Sequence, residues 1–165
     1  MMELMKDWLG AIFIFLAGLG IILGAVLITQ SSKPAQESKP DIGPIEFIRL
    51  EIPLGGESQT RQGKMFRNQV EWDQYWQQQP PEIPVDFEKF NLVLVEAGEK
   101  PTGGFTIAVK SVIQSEKNLT VQVEETRPGS NCLVTQAFSY PVDAVLLSKI
   151  QKEVSFEFSQ KIRDC

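Results

Sequence analysis

This 165-residue sequence predicts a mainly β fold with one short helix, an α+β arrangement built as an antiparallel β-sandwich or partly open barrel and preceded by a single transmembrane helix. Three observations predict it. Several short runs alternate apolar and polar residues with period two, one segment carries helix-start chemistry, and one long stretch near the N-terminus is free of charge.

The uncharged stretch runs from Trp8 to Ile28. Its 21 positions, at about 1.5 Å each in a helix, match the roughly 30 Å hydrocarbon core of a bilayer. It is longer than the apolar core of a cleavable signal, and Leu27-Ile28-Thr29-Gln30 offers no small-residue cleavage pattern. The expectation is a tail over residues 1–7 and an uncleaved anchor over residues 8–28, with secretion as the outcome if the segment is cleaved. Lys6 precedes the span and Lys33 and Lys39 follow it, so basic residues alone do not place the N-terminus inside. Residues 29–44 are Ser, Lys, Pro, Gln and Glu with hardly an apolar side chain. They cannot bury enough surface to offset the entropy of ordering and read as a flexible linker.

The folded unit is expected over residues 45–162. Ile48, Leu50, Ile52 and Leu54 alternate with Arg49, Glu51 and Pro53, a half-buried strand whose Pro favours an edge. Asn68 is placed to cap a helix, with Glu71 three residues on completing a capping box. Trp72, Tyr75 and Trp76 then share one helical face, a core rather than a ligand platform, and Pro80-Pro81 stops the helix. Further strands are read at Leu92–Val95, at Phe105, Ile107 and Val109, at Leu119, Val121 and Val123, from Val134 through Tyr140, and at Val154, Phe156 and Phe158. Between the first two of these lies Glu99-Lys100-Pro101-Thr102-Gly103-Gly104-Phe105, a connecting turn whose plain reading is a hairpin loop. Its Pro presets one backbone angle, and its glycines permit left-handed geometry.

The chain has no histidine. Ser-His and Cys-His nucleophile pairs, imidazole metal sites and the usual general base are therefore absent. The two cysteines are too few for a structural zinc site without histidine. For Cys132 and Cys165 two readings stand: a disulfide, which an oxidising compartment permits, or a buried free Cys132 with an exposed Cys165. Asp86, Glu96, Glu99, Glu124 and Glu125 lie near the turns and read as scattered surface acids. Glu124 and Glu125, adjacent on a strand, point to opposite faces and make no carboxylate pair. Sixteen basic against 21 acidic side chains leave a net charge of −5, which argues against a nucleic-acid surface. No cofactor, metal or small-molecule substrate is inferred.

A series of short motifs spans residues 85–150: Val85-Asp86-Phe87, the turn from Glu99 to Phe105, Thr126-Arg127-Pro128-Gly129, Cys132, Thr135-Gln136-Ala137 and Tyr140-Pro141. The series, with a looser match around Trp72 and Trp76, resembles the PrcB C-terminal domain family, named after a non-catalytic subunit of a bacterial surface protease complex. The resemblance implies a β-rich extracytoplasmic module, in the periplasm or at the cell surface of a bacterium, which the apolar run at residues 8–28 is expected to hold on the membrane. It further implies a non-catalytic function, binding and stabilising a protein partner, a protease. On that reading the partner-binding residues are Lys100, Pro101, Thr102, Gly103, Gly104 and Phe105 with Arg127, Pro128 and Gly129. Lys100 and Thr102 are expected to make partner contacts and the two glycines to set conformation. In one respect the chain departs from the family. PrcB itself looks like a lipoprotein, whereas no Cys precedes Cys132 here.

Two other functions compete. Pro101-Thr102-Gly103-Gly104-Phe105 is also similar to the proline-threonine-glycine loop of chagasin-like cysteine-protease inhibitors, although Lys100 stands where that family has Asn. The other is a structural envelope protein without enzymatic activity.

Overall fold

The computed structural model describes residues 42–51, 56, 58–77 and 83–165. The expected tail (1–7), anchor (8–28) and linker as far as residue 41 lie outside the described residues, as do residues 52–55 of the first predicted strand. Among the described residues, no helix is long and apolar enough to cross a membrane.

The described residues form eight strands and one helix, in chain order β1 (Gly43–Ile45), β2 (Ile48–Leu50), β3 (Gln62–Phe66), α1 (Gln69–Tyr75), β4 (Phe90–Glu96), β5 (Thr106–Gln114), β6 (Asn118–Pro128), β7 (Val142–Ser148) and β8 (Glu153–Arg163). They form two four-stranded sheets, β1-β5-β6-β8 and β2-β7-β4-β3. Every pairing is antiparallel except β6 with β8, which run parallel in an unbroken register from Asn118–Glu153 to Pro128–Arg163. The first strand begins two residues inside the segment expected as linker.

Period-two alternation builds the core between the sheets. Ile107, Val109, Val112, Leu119, Val121 and Val123 of the first sheet meet Met65, Val93, Val95, Val145 and Leu147 of the second. Strand β4 is buried on both faces, which is why Leu92–Val95 reads as a continuous apolar run rather than an alternating one. Its other face, Leu92 and Leu94, packs with Ala144, Leu146 and Phe66 against Trp72 and Trp76 of the helical segment. Full burial of each such side chain contributes about 1.5–3 kcal/mol.

The helix begins as its sequence dictates, with one change of partner. The Asn68 side chain accepts from the Glu71 N–H at 2.9 Å, but Glu71 reaches back to the N–H of Arg67 at 2.8 Å, one residue before the cap. Phe66 then meets Trp72 and Tyr75 edge to face, with ring centroids 5.0 and 5.3 Å apart.

Three strand expectations are corrected. Residues 99–105 do not close a hairpin, because β4 and β5 lie in different sheets and the segment carries the chain across the sandwich. Val134–Tyr140 is not a strand; apart from one bridge between Ser139 and Lys100 it is loop, and the strand that follows is β7. Ile48, expected on a buried face, is 56% exposed, because the chain switches sheets between Ile45 and Ile48. That switch turns Ile45 and Phe47 into the inter-sheet core and Leu50 towards the helix-side cluster.

The same switch explains a buried charge. Strand β1 pairs with β5 only across Val112–Gln114, and β5 carries a bulge between Val109 and Ser111. At Val109 the backbone is satisfied by side chains of the opposite sheet. Its N–H donates to Asp143 Oδ2 at 2.7 Å, and its carbonyl accepts from Arg49 Nη2 at 2.7 Å. Arg49 and Asp143 are themselves ion-paired. The pair occupies the edge that β1 leaves and offsets the cost of burying unpaired peptide groups.

Candidate functional site

At one end of the sandwich three segments converge: the crossing turn from Ala97 to Phe105, the loop from Gly129 to Pro141, and the C-terminal end of β8. Backbone hydrogen bonds tie the first two together. Lys100 and Ser139 exchange N–H to carbonyl bonds at 2.9 and 3.0 Å, Gly103 N–H donates to Thr135 O at 3.0 Å, and Ala97 N–H donates to Pro141 O at 2.9 Å. The Ser139 hydroxyl adds a bond to Thr102 O at 2.7 Å. Gly129 N–H donates to Arg163 O at 2.9 Å, joining the long loop to β8.

A disulfide between Cys132 and Cys165, with Cα atoms 5.0 Å apart, fixes the loop to the chain terminus. It closes a segment of 33 residues that contains β7 and β8. Closing a loop of that length restricts the unfolded chain by about 3–4 kcal/mol in the chain-entropy account.

The glycines of the turn have physical reasons to be glycine. Gly104 sits at φ +84°, and a Cβ there would lie 2.8 Å from Val134 Cγ1. A Cβ on Gly103 would lie 2.3 Å from Thr135 Oγ1. Both positions let the turn lie flat on the long loop.

Lys100 departs from expectation. It does not present its ammonium outward. The side chain is 16% exposed, and its Nζ lies 2.7 Å from Glu125 Oε1. Glu125 and Glu96 correct the reading of these acids as surface groups, since both are buried. Strand β6 alternates inward at Leu119, Val121, Val123 and Glu125, so Glu125 continues the core face up to the sandwich end, where Lys100 meets it. Arg61 Nη1 stands 3.5 Å from the second Glu125 oxygen, and its guanidinium lies 4.9 Å from the centre of the Phe158 ring. Glu96 points to the opposite face of its sheet, where it accepts from Gln62 Nε2 at 2.8 Å and from the Tyr75 hydroxyl. These carboxylates are structural: each is held by donors from neighbouring segments.

The remaining residues of the expected surface separate into two groups. Thr102, Gly103 and Gly104 lie against the long loop, whereas Pro101 is exposed. Phe105, Arg127, Pro128 and Gly129 line an open groove of about 520 Å³ together with Ser130, Ile162 and Asp164. The structure thus brings the two expected motifs to one end, and Gly104 and Pro128 are near neighbours there.

Sequence reading missed the side chains that stand out most at this end. Leu133 is fully exposed, and Phe138 is 67% exposed. Both lie in the stretch around Val134–Tyr140, whose apolar residues imitate a strand. The Gly129-Ser130-Asn131 cluster ahead of it and Pro141 behind it are the available signals for a loop. At the same end the Tyr140 hydroxyl donates to Glu99 Oε2 at 2.6 Å. That hydrogen bond, helped by burial and by the carboxylate's charge, raises the Tyr140 pKa above its ordinary value.

The arrangement offers a rigid loop platform with exposed apolar side chains beside a groove that carries one cation and one anion. Among the described residues no cluster of acids or cysteines has the geometry to hold a metal ion. No curated protein and no solved structure matches the chain. Residues 92–148, which run from Leu92 in β4 to the end of β7 and include both converging loops, match the family model PrcB C-terminal.

Proposed function

We propose that this chain is a membrane-anchored, non-catalytic binding module that docks a protein partner, a protease, through the loop end of its β-sandwich. The observation that carries the reading is the exposure of Leu133 and Phe138 on a loop otherwise fixed by a disulfide and by backbone bonds to the neighbouring turn. Exposed large apolar side chains on a rigid platform gain free energy when a partner covers them, and a preorganised loop loses little entropy in doing so. The match to the PrcB C-terminal family includes this loop and supports a protease-complex association. The lack of histidine supports a non-catalytic role.

Placement outside the cytoplasm on a bacterial membrane draws support from two features. Residues 8–28 are apolar over a bilayer's thickness, and a disulfide persists where the compartment is oxidising. The inhibitor alternative draws less support. A loop that enters a protease cleft must project, whereas Lys100 to Gly103 is bonded back at Lys100, Thr102 and Gly103.

The test is purification of the tagged full chain from a mild detergent extract of its own cells, beside the Leu133→Asp/Phe138→Asp variant. A peptidase that accompanies the wild type and is lost from an equally stable variant is the expected result. Equal recovery with both chains, or no peptidase with either, contradicts the proposal.

A further inference from the structure

Strand β8 ends its sheet, and among the described residues no strand covers its outer edge. It spans Glu153–Arg163, and β6 is its only strand neighbour among the described residues. Proteins usually blunt such edges with proline, bulges, short strands or a covering segment. Here the register with β6 is continuous, there is no proline between Glu153 and Arg163, and no backbone group of residues 153–162 bonds to any other described segment. Ser155, Glu157, Ser159 and Lys161 are all exposed.

The charges along this edge are ordered. The solvent face of β8 reads Glu153, Ser155, Glu157, Ser159, Lys161 and Arg163, acidic in its first half and basic in its second. None of the four charged side chains enters an ion pair among the described residues. Such a strand is complementary to itself when reversed.

We propose that β8 pairs antiparallel with β8 of a second copy about a twofold axis through Phe158, joining two four-stranded sheets into one continuous sheet. This register leaves no residue of the strand unpaired. Glu153 stands opposite Arg163 of the second copy, Ser155 opposite Lys161, and Glu157 opposite Ser159, with Lys161 on one diagonal and the second copy's Glu157 on the other. Each contact occurs twice by symmetry. Sliding the pair by one step of two residues sets Glu157 against its own copy; the opposite slide leaves Glu153 with no strand residue to face. Charge disfavours the first slide, and strand length disfavours the second, which still sets Glu157 opposite Lys161; the two together favour the register centred on Phe158. The proposal does not depend on the loop-end reading, which is carried by Leu133 and Phe138 and not by the edge of β8.

Sedimentation velocity of the full chain over a range of concentrations tests it, using two charge reversals: Lys161→Glu/Arg163→Glu and Glu153→Lys/Glu157→Lys. Wild type dimerises reversibly. Each variant alone weakens the dimer by roughly tenfold or more, since like charges then face each other at residues 153 and 163 and lie on the diagonal at residues 157 and 161. An equimolar mixture of the two variants restores it, because one edge is then wholly basic and the other wholly acidic. This rescue also shows that the variants are folded. A wild-type chain that stays monomeric, a dimer indifferent to the reversals, or a mixture no tighter than its components overturns the proposal, including in favour of a strand donated by a different protein.

Discussion

The Lys100 ammonium and the Glu125 carboxylate lie 2.7 Å apart, the first from the crossing turn and the second from the inner face of β6. Glu125 is 3% exposed, so the pair couples the turn to the core rather than decorating the surface. Removing Lys100 leaves the buried Glu125 with only the longer, 3.5 Å contact to Arg61 on its other oxygen. We expect Lys100→Ala to destabilise the protein by about 3 kcal/mol, well above a surface truncation. Lys100→Met with Glu125→Leu should recover most of that loss. Urea unfolding of the single and double variants checks it, and equal or additive losses would contradict the pairing.

Two glycines carry conformational weight of different kinds. Gly104 occupies the left-handed region at φ +84°, so Gly104→Val adds both backbone strain and a clash with Val134, costing about 2 kcal/mol or more. Gly63 meets no such strain, but a Cβ there would fall 2.3 Å from the Phe156 ring. Gly63→Ala should cost about 1–3 kcal/mol by overpacking, and shortening Phe156 to Leu in the same chain should relieve it. Thermal unfolding of the three variants distinguishes the two mechanisms.

Tyr140 gives a pH signature. Its pKa is raised above 10.0 by the hydrogen bond to Glu99, then by burial and by the charge of Glu99. A group with a raised folded pKa contributes stability that is complete below its unfolded value and lost as pH climbs through the folded one. Wild type should therefore melt above Tyr140→Phe at pH 7–9, and the gap should narrow once the pH passes 10. A gap constant to pH 12 would mean that the hydroxyl does not hold Glu99 in solution.

What the sequence disclosed was local. The Asn68–Glu71 cap and the Trp72, Tyr75 and Trp76 face depend on residues three and four apart, and the alternation in β5, β6 and β8 depends on neighbours two apart. What it concealed was long-range. Nothing near Ile45 or Ile48 signals that the chain changes sheets there, and nothing in β8 signals that it runs parallel to β6. Burial of Glu96 and Glu125 follows from where Tyr75, Gln62, Arg61 and Lys100 arrive from elsewhere in the chain. The candidate site was half legible: Phe105 and Arg127–Gly129 do share one groove. Lys100 faces inward instead, and Leu133 and Phe138 were hidden by a strand-like pattern in a loop.

Recognition through the loop end is tested most directly by site-specific photo-crosslinking in intact cells. A benzophenone side chain is placed singly at Leu133, at Phe138, and at Val70, which is 62% exposed on the helix at a different part of the domain. The account predicts one discrete adduct from positions 133 and 138, containing a peptidase, and none from position 70. An adduct from position 70 alone, or equal labelling from all three, would contradict it.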